Sequence, residues 1–194
     1  MKLRQVLVFC ASSRSCDPAY YVAADRLGGE LARAGVGVVY GGGGHGSMGA
    51  LADGALQAGG RVHGVLPQFM RDLEWGHDRI SQLDLVEDLR ERQRRMLDAA
   101  DAVVALPGGC GTLEELMEAI TFKRLGLYAG PIVVVNTRRF FDPWIELLDR
   151  CIAERFMSEQ HRPMWQVVDE PEQVLPAIAQ APRWSEEARG FAVS

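Results

Sequence analysis

The stretch AVVALPGGCGTLEELME, residues 102–118, decides the fold because it joins a strand, a glycine turn and a helix start. Its first five residues are apolar, which is typical of a parallel strand covered on both faces. The turn glycines lack a Cβ, so they can take positive φ and bring backbone N–H groups close to a ligand. Thr112 is the predicted N-cap and Glu115 the predicted capping-box carboxylate. The stretch therefore predicts an anion site for a phosphate.

Strands and helices are predicted to alternate along the whole chain. Predicted strands occupy residues 5–10, 36–40, 61–66, 83–86, 102–106, 132–135 and 165–168. This order predicts an α/β fold with a doubly wound, mostly parallel, Rossmann-like sheet in three layers, whose ligands bind at the carboxyl ends of the strands. Residues 1–180 are expected to form a single nucleotide-binding domain and residues 181–194 a flexible C-terminal tail.

Composition and charge exclude several classes of function. The net charge of −5 argues against a nucleic-acid groove, whose mark is a basic patch. The four cysteines show no CxxC pair and no His at ligand spacing, so we expect free thiols and no metal. No apolar run approaches the ~20 residues of a membrane span, and the start of the chain lacks a signal-peptide core. A cytoplasmic protein with no membrane partner is expected.

A second glycine loop, YGGGGHGSMG at residues 40–49, follows the second predicted strand. It matches the dinucleotide fingerprint formally, but the next strand ends Val65-Leu66-Pro67, without the acidic residue that would hold a ribose. No Lys precedes Ser47 as in a P-loop, and the glycines could merely turn the chain. Two glycine loops at one sheet edge could also hold one ligand from two sides, and a mononucleotide has a suitable size.

Arg92 lies on the apolar stripe of the helix predicted at residues 88–100. Leu89, Met96 and Ala99 share its helical spacing, whereas the other arginines of that helix point largely away. A guanidinium on the buried side needs an anionic partner. Two structural alternatives are an internal salt bridge and a packed stem whose head reaches water.

Four segments closely resemble the LOG (Lonely Guy) family: FCASS at 9–13, YGGGGHGSMG at 40–49, RERQRRM at 90–96 and PGGCGTLEE at 107–115. Members of this family are cytokinin riboside 5′-monophosphate phosphoribohydrolases, and relatives often carry the label lysine decarboxylase. The resemblance implies hydrolysis of the N-glycosidic bond of an N6-modified or plain adenosine 5′-monophosphate, which releases the base and ribose 5-phosphate. It also implies a homodimer or a larger homo-oligomer.

The resemblance assigns catalysis to Arg92 and Glu115. The predicted substrate-binding residues are Ser13, Gly43, Gly44, Gly46, Met48, Glu74, Pro107, Gly108, Gly109, Cys110, Gly111, Thr112, Leu113, Glu114 and Thr121. Two positions depart from the family pattern: Gln93 stands where Lys is frequent, and Ala11 where Gly is usual.

Other functions remain possible from the sequence. Gln93 leaves open a non-catalytic nucleotide-binding or sensing protein with the same pocket. An NAD-dependent oxidoreductase would lack its ribose acid and an evident proton relay. A pyridoxal phosphate decarboxylase would need a suitable lysine, but the chain has only Lys2 and Lys123, so no cofactor is expected. The segment from Gln68 to Arg79 is predicted to close the pocket and to choose the base.

Overall fold

Strands and helices alternate in the computed structural model, which describes residues 2–73, 75–184 and 190. The strands are β1 (Gln5–Phe9), β2 (Gly37–Tyr40), β3 (Val62–Pro67), β4 (Gln82–Val86), β5 (Ala102–Ala105), β6 (Ile132–Val135) and β7 (Gln166–Val168). The α-helices are α1 (Pro18–Arg33), α2 (Gly46–Gln57), α3 (Gln68–Asp72), α4 (Leu89–Asp98), α5 (Cys110–Arg124), α6 (Asp142–Ala153) and α7 (Val174–Gln180). The strand predictions are confirmed to within one residue at each end.

The seven strands form one sheet in the order β4-β3-β2-β1-β5-β6-β7. Each of the six neighbouring pairs is parallel. The chain first builds outward from β1 to β4 and then returns through α4 to place β5 on the other side of β1. The order reverses beside β1, and ligands of such sheets bind at that switch point, outside the carboxyl ends of the strands.

Helices cover both faces of the sheet because alternate strand residues point to opposite sides. Val6 and Val8 of β1 pack with α1, α2 and α7 in one buried cluster. Leu7 and Phe9 pack with α4, α5 and α6 in the other. This arrangement confirms the predicted three-layer, doubly wound α/β fold.

Two helices begin at aspartate caps, whereas the start of α5 differs from its prediction. Asp17 caps α1 by accepting from the N–H of Ala19 at 2.9 Å, and Asp88 caps α4 by accepting from the N–H of Glu91 at 2.8 Å. Helix α5, however, begins at Cys110 with Gly109 as its N-cap and without a side-chain cap. The prediction of Thr112 as N-cap and Glu115 as capping-box residue is therefore wrong.

The buried side of α4 is shorter than its sequence pattern suggests. Arg92 and Met96 are 7% and 0% exposed, so the placement of Arg92 on the inner side is confirmed. Leu89 is 47% exposed and does not belong to the buried stripe.

Most of the predicted C-terminal tail, residues 181–194, lies outside the described residues. At its start, the indole N–H of Trp184 donates to the carbonyl of Lys123 at 2.7 Å. Within the described part of the chain, no helix has the length and apolar character needed to cross a membrane.

Candidate active site

A cleft of about 450 Å³ opens at the carboxyl edge of the sheet beside β1. Its walls come from the turn after β1, the glycine loop before α2, the segment after β3 and the start of α5. The lining residues are Cys10, Ala11, Ser12, Ser13, Gly41, Gly43, His45, Met48, Leu66, Met70, Trp75, Arg92, Gly109, Cys110, Gly111, Thr112 and Glu115. The cleft thus lies at the switch point that the fold predicts.

The glycine turn between β5 and α5 brings an uncapped helix start to the cleft. A Cβ added at Gly108 would lie 2.2 Å from Oγ1 of Thr112, so only glycine lets the turn pass this side chain. Gly109 and Gly111 have open space where a Cβ would lie. The first N–H groups of a helix lack intrahelical acceptors, and the dipole there favours negative charge. The start of α5 can therefore bind an anion.

These glycines do not serve the conformational role that the sequence suggested for them. None of Gly108, Gly109 and Gly111 has φ in the left-handed region, whereas Gly42 and Gly46 of the first loop have φ of +77° and +60°. In the turn before α5, glycine matters because it avoids contact with Thr112 and leaves the backbone accessible.

The first glycine loop lines the cleft, but its helix start is already packed against the protein. The N–H of Met48 donates to the carbonyl of Ala11 at 3.0 Å. A Cβ added at Gly46 would lie 2.3 Å from the carbonyl oxygen of Ser13. The start of α2 therefore supports the turn after β1, and the open helix start at the cleft is that of α5.

The segment after β3 closes one side of the cleft, as the sequence predicts. Gly44 donates to the carbonyl of Trp75 at 2.9 Å, and His77 donates to the carbonyl of Gly42 at 3.0 Å. These contacts fix the segment against the first glycine loop and place Met70 and Trp75 in the lining. Glu74, a predicted substrate contact in this segment, lies outside the described residues.

A buried ion pair joins α4 to α5 at the base of the cleft. Arg92 Nη1 donates to Glu115 Oε1 at 2.7 Å, and the two residues are only 7% and 5% exposed. Arg92 also donates to the carbonyls of Val65 at 3.0 Å and Gly41 at 3.4 Å. Of the two alternatives for Arg92, the internal salt bridge is the one present. Gly41 makes room for it, because an added Cβ would lie 1.9 Å from Arg92 Nη2.

Burial raises the pKa of the Glu115 carboxyl above its ordinary value. The guanidinium of Arg92 opposes this shift, while the carboxylates of Glu114 and Glu118 reinforce it. Burial, and next the charge of Glu115, also raise the pKa of the Cys10 thiol, which favours the neutral thiol. Glu115 is thus a fixed carboxylate with an increased proton affinity in a site that excludes most water.

Gln93 follows Arg92 on α4 and makes a second contact with α5. Its Nε2 donates to Oε2 of Glu114 at 2.7 Å, and Gln93 is 9% exposed. The departure from the frequent Lys therefore places a neutral amide beside the Arg92–Glu115 pair.

The structure brings most of the predicted site residues to one cleft. The predicted residues in its lining are Ser13, Gly43, Met48, Arg92, Gly109, Cys110, Gly111, Thr112 and Glu115. Those directly next to a lining residue along the chain without belonging to the lining are Gly44, Gly46, Gly108, Leu113 and Glu114, and Pro107 lies two residues before Gly109. Thr121 is not in the lining; its Oγ1 donates to the carbonyl of Met117 at 2.8 Å, further along α5.

Sequence reasoning missed several lining residues. Those left out of the predicted site are Cys10, Ser12, Gly41, His45, Leu66, Met70 and Trp75. Most follow directly on a strand or lie in a glycine loop, so their position at a strand's carboxyl end was the available signal. Ala11, noted only as a departure, also lines the cleft.

The fold and cleft define a Rossmann-like α/β protein with an uncapped helix start and a buried Arg–Glu pair at the switch point. The family described as possible lysine decarboxylase matches residues 48–178. The chain therefore belongs to this family, which includes the LOG proteins.

Named relatives support this assignment. The chain is 37% identical over 161 residues to cytokinin riboside 5′-monophosphate phosphoribohydrolase LOG of Oryza sativa subsp. japonica. The matched region covers 83% of this chain and 66% of that protein. It is 36% identical to the phosphoribohydrolase LOG7 of Arabidopsis thaliana, over 83% of this chain and 74% of that protein. The chain thus spans about two thirds to three quarters of these relatives.

Solved structures of lower identity share the fold. The molybdenum cofactor carrier protein of Chlamydomonas reinhardtii superposes with a TM-score of 0.69 at 22% identity, over 93% of this chain and 98% of that one. The molybdenum cofactor binding protein of Rippkaea orientalis superposes with a TM-score of 0.70 at 19% identity, over 92% of this chain and 97% of that one. These likenesses support the three-layer α/β architecture.

Proposed function

We propose that this protein hydrolyses the N-glycosidic bond of an adenosine 5′-monophosphate, with or without an N6 substituent, to release the base and ribose 5-phosphate. The names of its LOG relatives support this reaction. The observation that carries it is the buried ion pair of Arg92 and Glu115, which lies in the same cleft as the open start of α5.

The start of α5 binds the 5′-phosphate in this proposal. Its free N–H groups and the positive end of the helix dipole suit an anion. The hydroxyls of Thr112 and Ser13, both in the lining, can donate further hydrogen bonds to phosphate oxygens. Because the phosphate is held at one end, the ribose and its glycosidic bond are directed towards the base of the cleft.

Glu115 stabilises the reacting sugar. The bond between C1′ and the base nitrogen breaks with its electron pair leaving on the base, so positive charge develops on the ribose. A fixed carboxylate in a site of low polarity stabilises that charge. Water then bonds to C1′ and loses a proton, for which Glu115 is the acceptor in this proposal, while the departing base gains one. Arg92 holds Glu115 in place and favours its ionised form.

The base lies against the segment after β3. Leu66, Met70 and Trp75 give the lining an apolar part there. An apolar substituent on N6 of adenine would bury its surface against these side chains, and burial stabilises by about 25 cal/mol per Å². Glu74 of the same segment is proposed as a further substrate contact, as the family resemblance implies.

A direct assay tests the function. The wild-type protein is incubated with AMP and with N6-isopentenyl-AMP, and the free base is measured by chromatography. Glu115→Gln is expected to reduce kcat by about 100-fold or more, because one preorganised charge is lost. Glu146→Gln is the matched control, since Glu146 is an exposed residue of α6 and lies outside the cleft lining. Failure of the wild type to release either base would refute the proposal.

The non-catalytic alternative rests on Gln93, and no structural observation favours it. Gln93 pairs with Glu114 and leaves the contact between Arg92 and Glu115 intact. A sensing protein would bind AMP in calorimetry and release no base.

We further propose that the protein acts in the cytoplasm as a single domain, residues 1–180, that forms a homodimer or a larger homo-oligomer. Free cysteines and a net charge of −5 support a reducing compartment without a nucleic-acid partner. Phe69, Leu73 and Leu89 are each about half exposed around α3 and α4 and supply apolar surface for self-association. Light scattering that gave the mass of one chain would exclude the oligomer.

A further inference from the structure

Two neighbouring residues of α4 contact two neighbouring residues of α5. Arg92 donates to Glu115 and Gln93 donates to Glu114, each at 2.7 Å. Gln93 is nearly as buried as Arg92, at 9% against 7%, although its partner Glu114 is an exposed residue. The second contact therefore joins a nearly buried amide of α4 to an exposed carboxylate of α5, one residue along each helix from the Arg92–Glu115 pair.

In this arrangement each of two carboxylates has its own donor: the guanidinium of α4 binds one and the amide of α4 binds the other. Glu114 and Glu115 are adjacent on α5, and Arg92 and Gln93 are adjacent on α4. A carboxylate accepts strongly from a charged donor, so a released Glu114 could compete for Arg92. The amide of Gln93 satisfies Glu114 by a hydrogen bond without adding a charge.

We propose that Gln93 is a positioning residue for the proposed reaction: it holds Glu114 through its amide and thereby reserves the guanidinium of Arg92 for Glu115. Gln93 acts through its neighbours and makes no contact with substrate. The inference rests on the proposed function. It also predicts that Gln93 affects the pKa of Glu115, which can be measured without turnover.

The charged and titratable groups around Glu115 fix the direction of each expected effect. Arg92 faces it from α4, Glu114 and Glu118 from its own helix, and the Cys10 thiol from the turn after β1. Arg92 lowers the pKa of Glu115, and the two glutamates raise it. Release of Glu114 towards Arg92 should therefore raise this pKa further, whereas removal of the Glu114 charge should lower it.

The decisive variants form a double-mutant cycle. Gln93→Met keeps the side-chain length and removes the donor. It is expected to lower kcat about tenfold with little change in KM, because the transition-state charge loses a fixed partner. The acidic limb of the plot of kcat against pH should move to higher pH by about half a pH unit. Glu114→Gln should move that limb down, and the limb of the double variant should follow that of Glu114→Gln.

A measurement without substrate separates this inference from the proposed reaction. The carboxyl carbon of Glu115 is titrated by ¹³C NMR in the wild type, in both single variants and in Arg94→Met, an exposed α4 control. Thermal melts verify that each variant is folded. If Gln93→Met does not fold, the exposed variant Glu114→Gln still tests the inference through its own shift of the Glu115 titration.

Opposite shifts of the Glu115 titration in the two variants, with none in the control, support the positioning role even if no base is released. An unmoved titration in Gln93→Met overturns it. A double variant whose acidic limb follows Gln93→Met instead of Glu114→Gln also overturns it, because the effect of Gln93 would then not act through Glu114.

Discussion

Removal of Arg92 should destabilise the protein in a pH-dependent way. Arg92→Met keeps much of the stem volume and removes the donors to Glu115, Val65 and Gly41. It leaves a carboxylate that is only 5% exposed without its counter-charge. Breaking a buried pair from one side costs about 3–5 kcal/mol. We expect a loss of that size in the free energy of unfolding near neutral pH.

The sign of the pH dependence follows from Glu115. Burial already raises its folded-state pKa, and removal of Arg92 raises it further. A carboxyl whose folded pKa exceeds its unfolded value, about 4.3, favours the folded state at low pH, and this stability is lost as pH rises through the folded pKa. Because wild-type Glu115 also has a raised pKa, the difference between wild type and Arg92→Met should shrink in acid only as pH falls from the folded pKa of the variant to the lower folded pKa of the wild type, by about 1.4 kcal/mol for each pH unit between them.

Urea unfolding followed by tryptophan fluorescence measures this difference near neutral pH and at one lower pH at which both proteins are still folded. The double variant Arg92→Met, Glu115→Gln is the control, because replacing both partners of a buried pair is often close to neutral. A cost below about 1 kcal/mol for Arg92→Met, or the same cost at both pH values, would refute the electrostatic account.

Two further predictions concern α5. Gly108→Ala should cost about 1–3 kcal/mol of stability, since its Cβ would lie 2.2 Å from Thr112 Oγ1. Gly109→Ala, where the space is open, should unfold nearly as the wild type does and raise KM instead; equal urea midpoints for the two variants would contradict this contrast. Burial lowers the pKa of Lys123 to about 8, so its charged form destabilises the fold at neutral pH. Lys123→Met should therefore gain stability relative to wild type as pH falls from about 10 to about 8, and parallel stability curves for the two proteins would exclude this effect.

The fold could be predicted from the sequence because each strand and helix has a local sequence pattern. The buried strands are short, largely apolar runs followed by glycine, proline or a small polar turn. The position of each strand can therefore be predicted from its own residues. The glycine loops then indicated which sheet edge carries the cleft. Even the inward side of Arg92 followed from helical spacing.

The errors concern features that tertiary contacts determine. Thr112 and Glu115 have the spacing of a capping box, but α5 begins at Cys110, so Thr112 falls inside the first turn. Glu115 instead turns its carboxylate to Arg92, which lies 23 residues earlier in the chain. Local spacing contains no information about a partner on another helix.

The lining shows the same limit. Met70 and Trp75 enter the cleft because backbone hydrogen bonds fasten their segment to the first glycine loop. That pairing joins two stretches without a periodic pattern, so the sequence predicted a closing segment but not which of its side chains would line the cleft. Thr121 matched the family and yet bonds to its own helix.

The return of α4 from the sheet edge to its centre has a consequence for how the protein acquires its site. Arg92 finds two of its acceptors, Val65 and Gly41, in chain that precedes it, but its counter-ion Glu115 arrives only after β5. During synthesis, Arg92 and these two acceptors are therefore made before the acid that balances the charge of Arg92. The charge balance of Arg92 and the open helix start at the cleft are completed together, by the same late segment that carries the glycine turn.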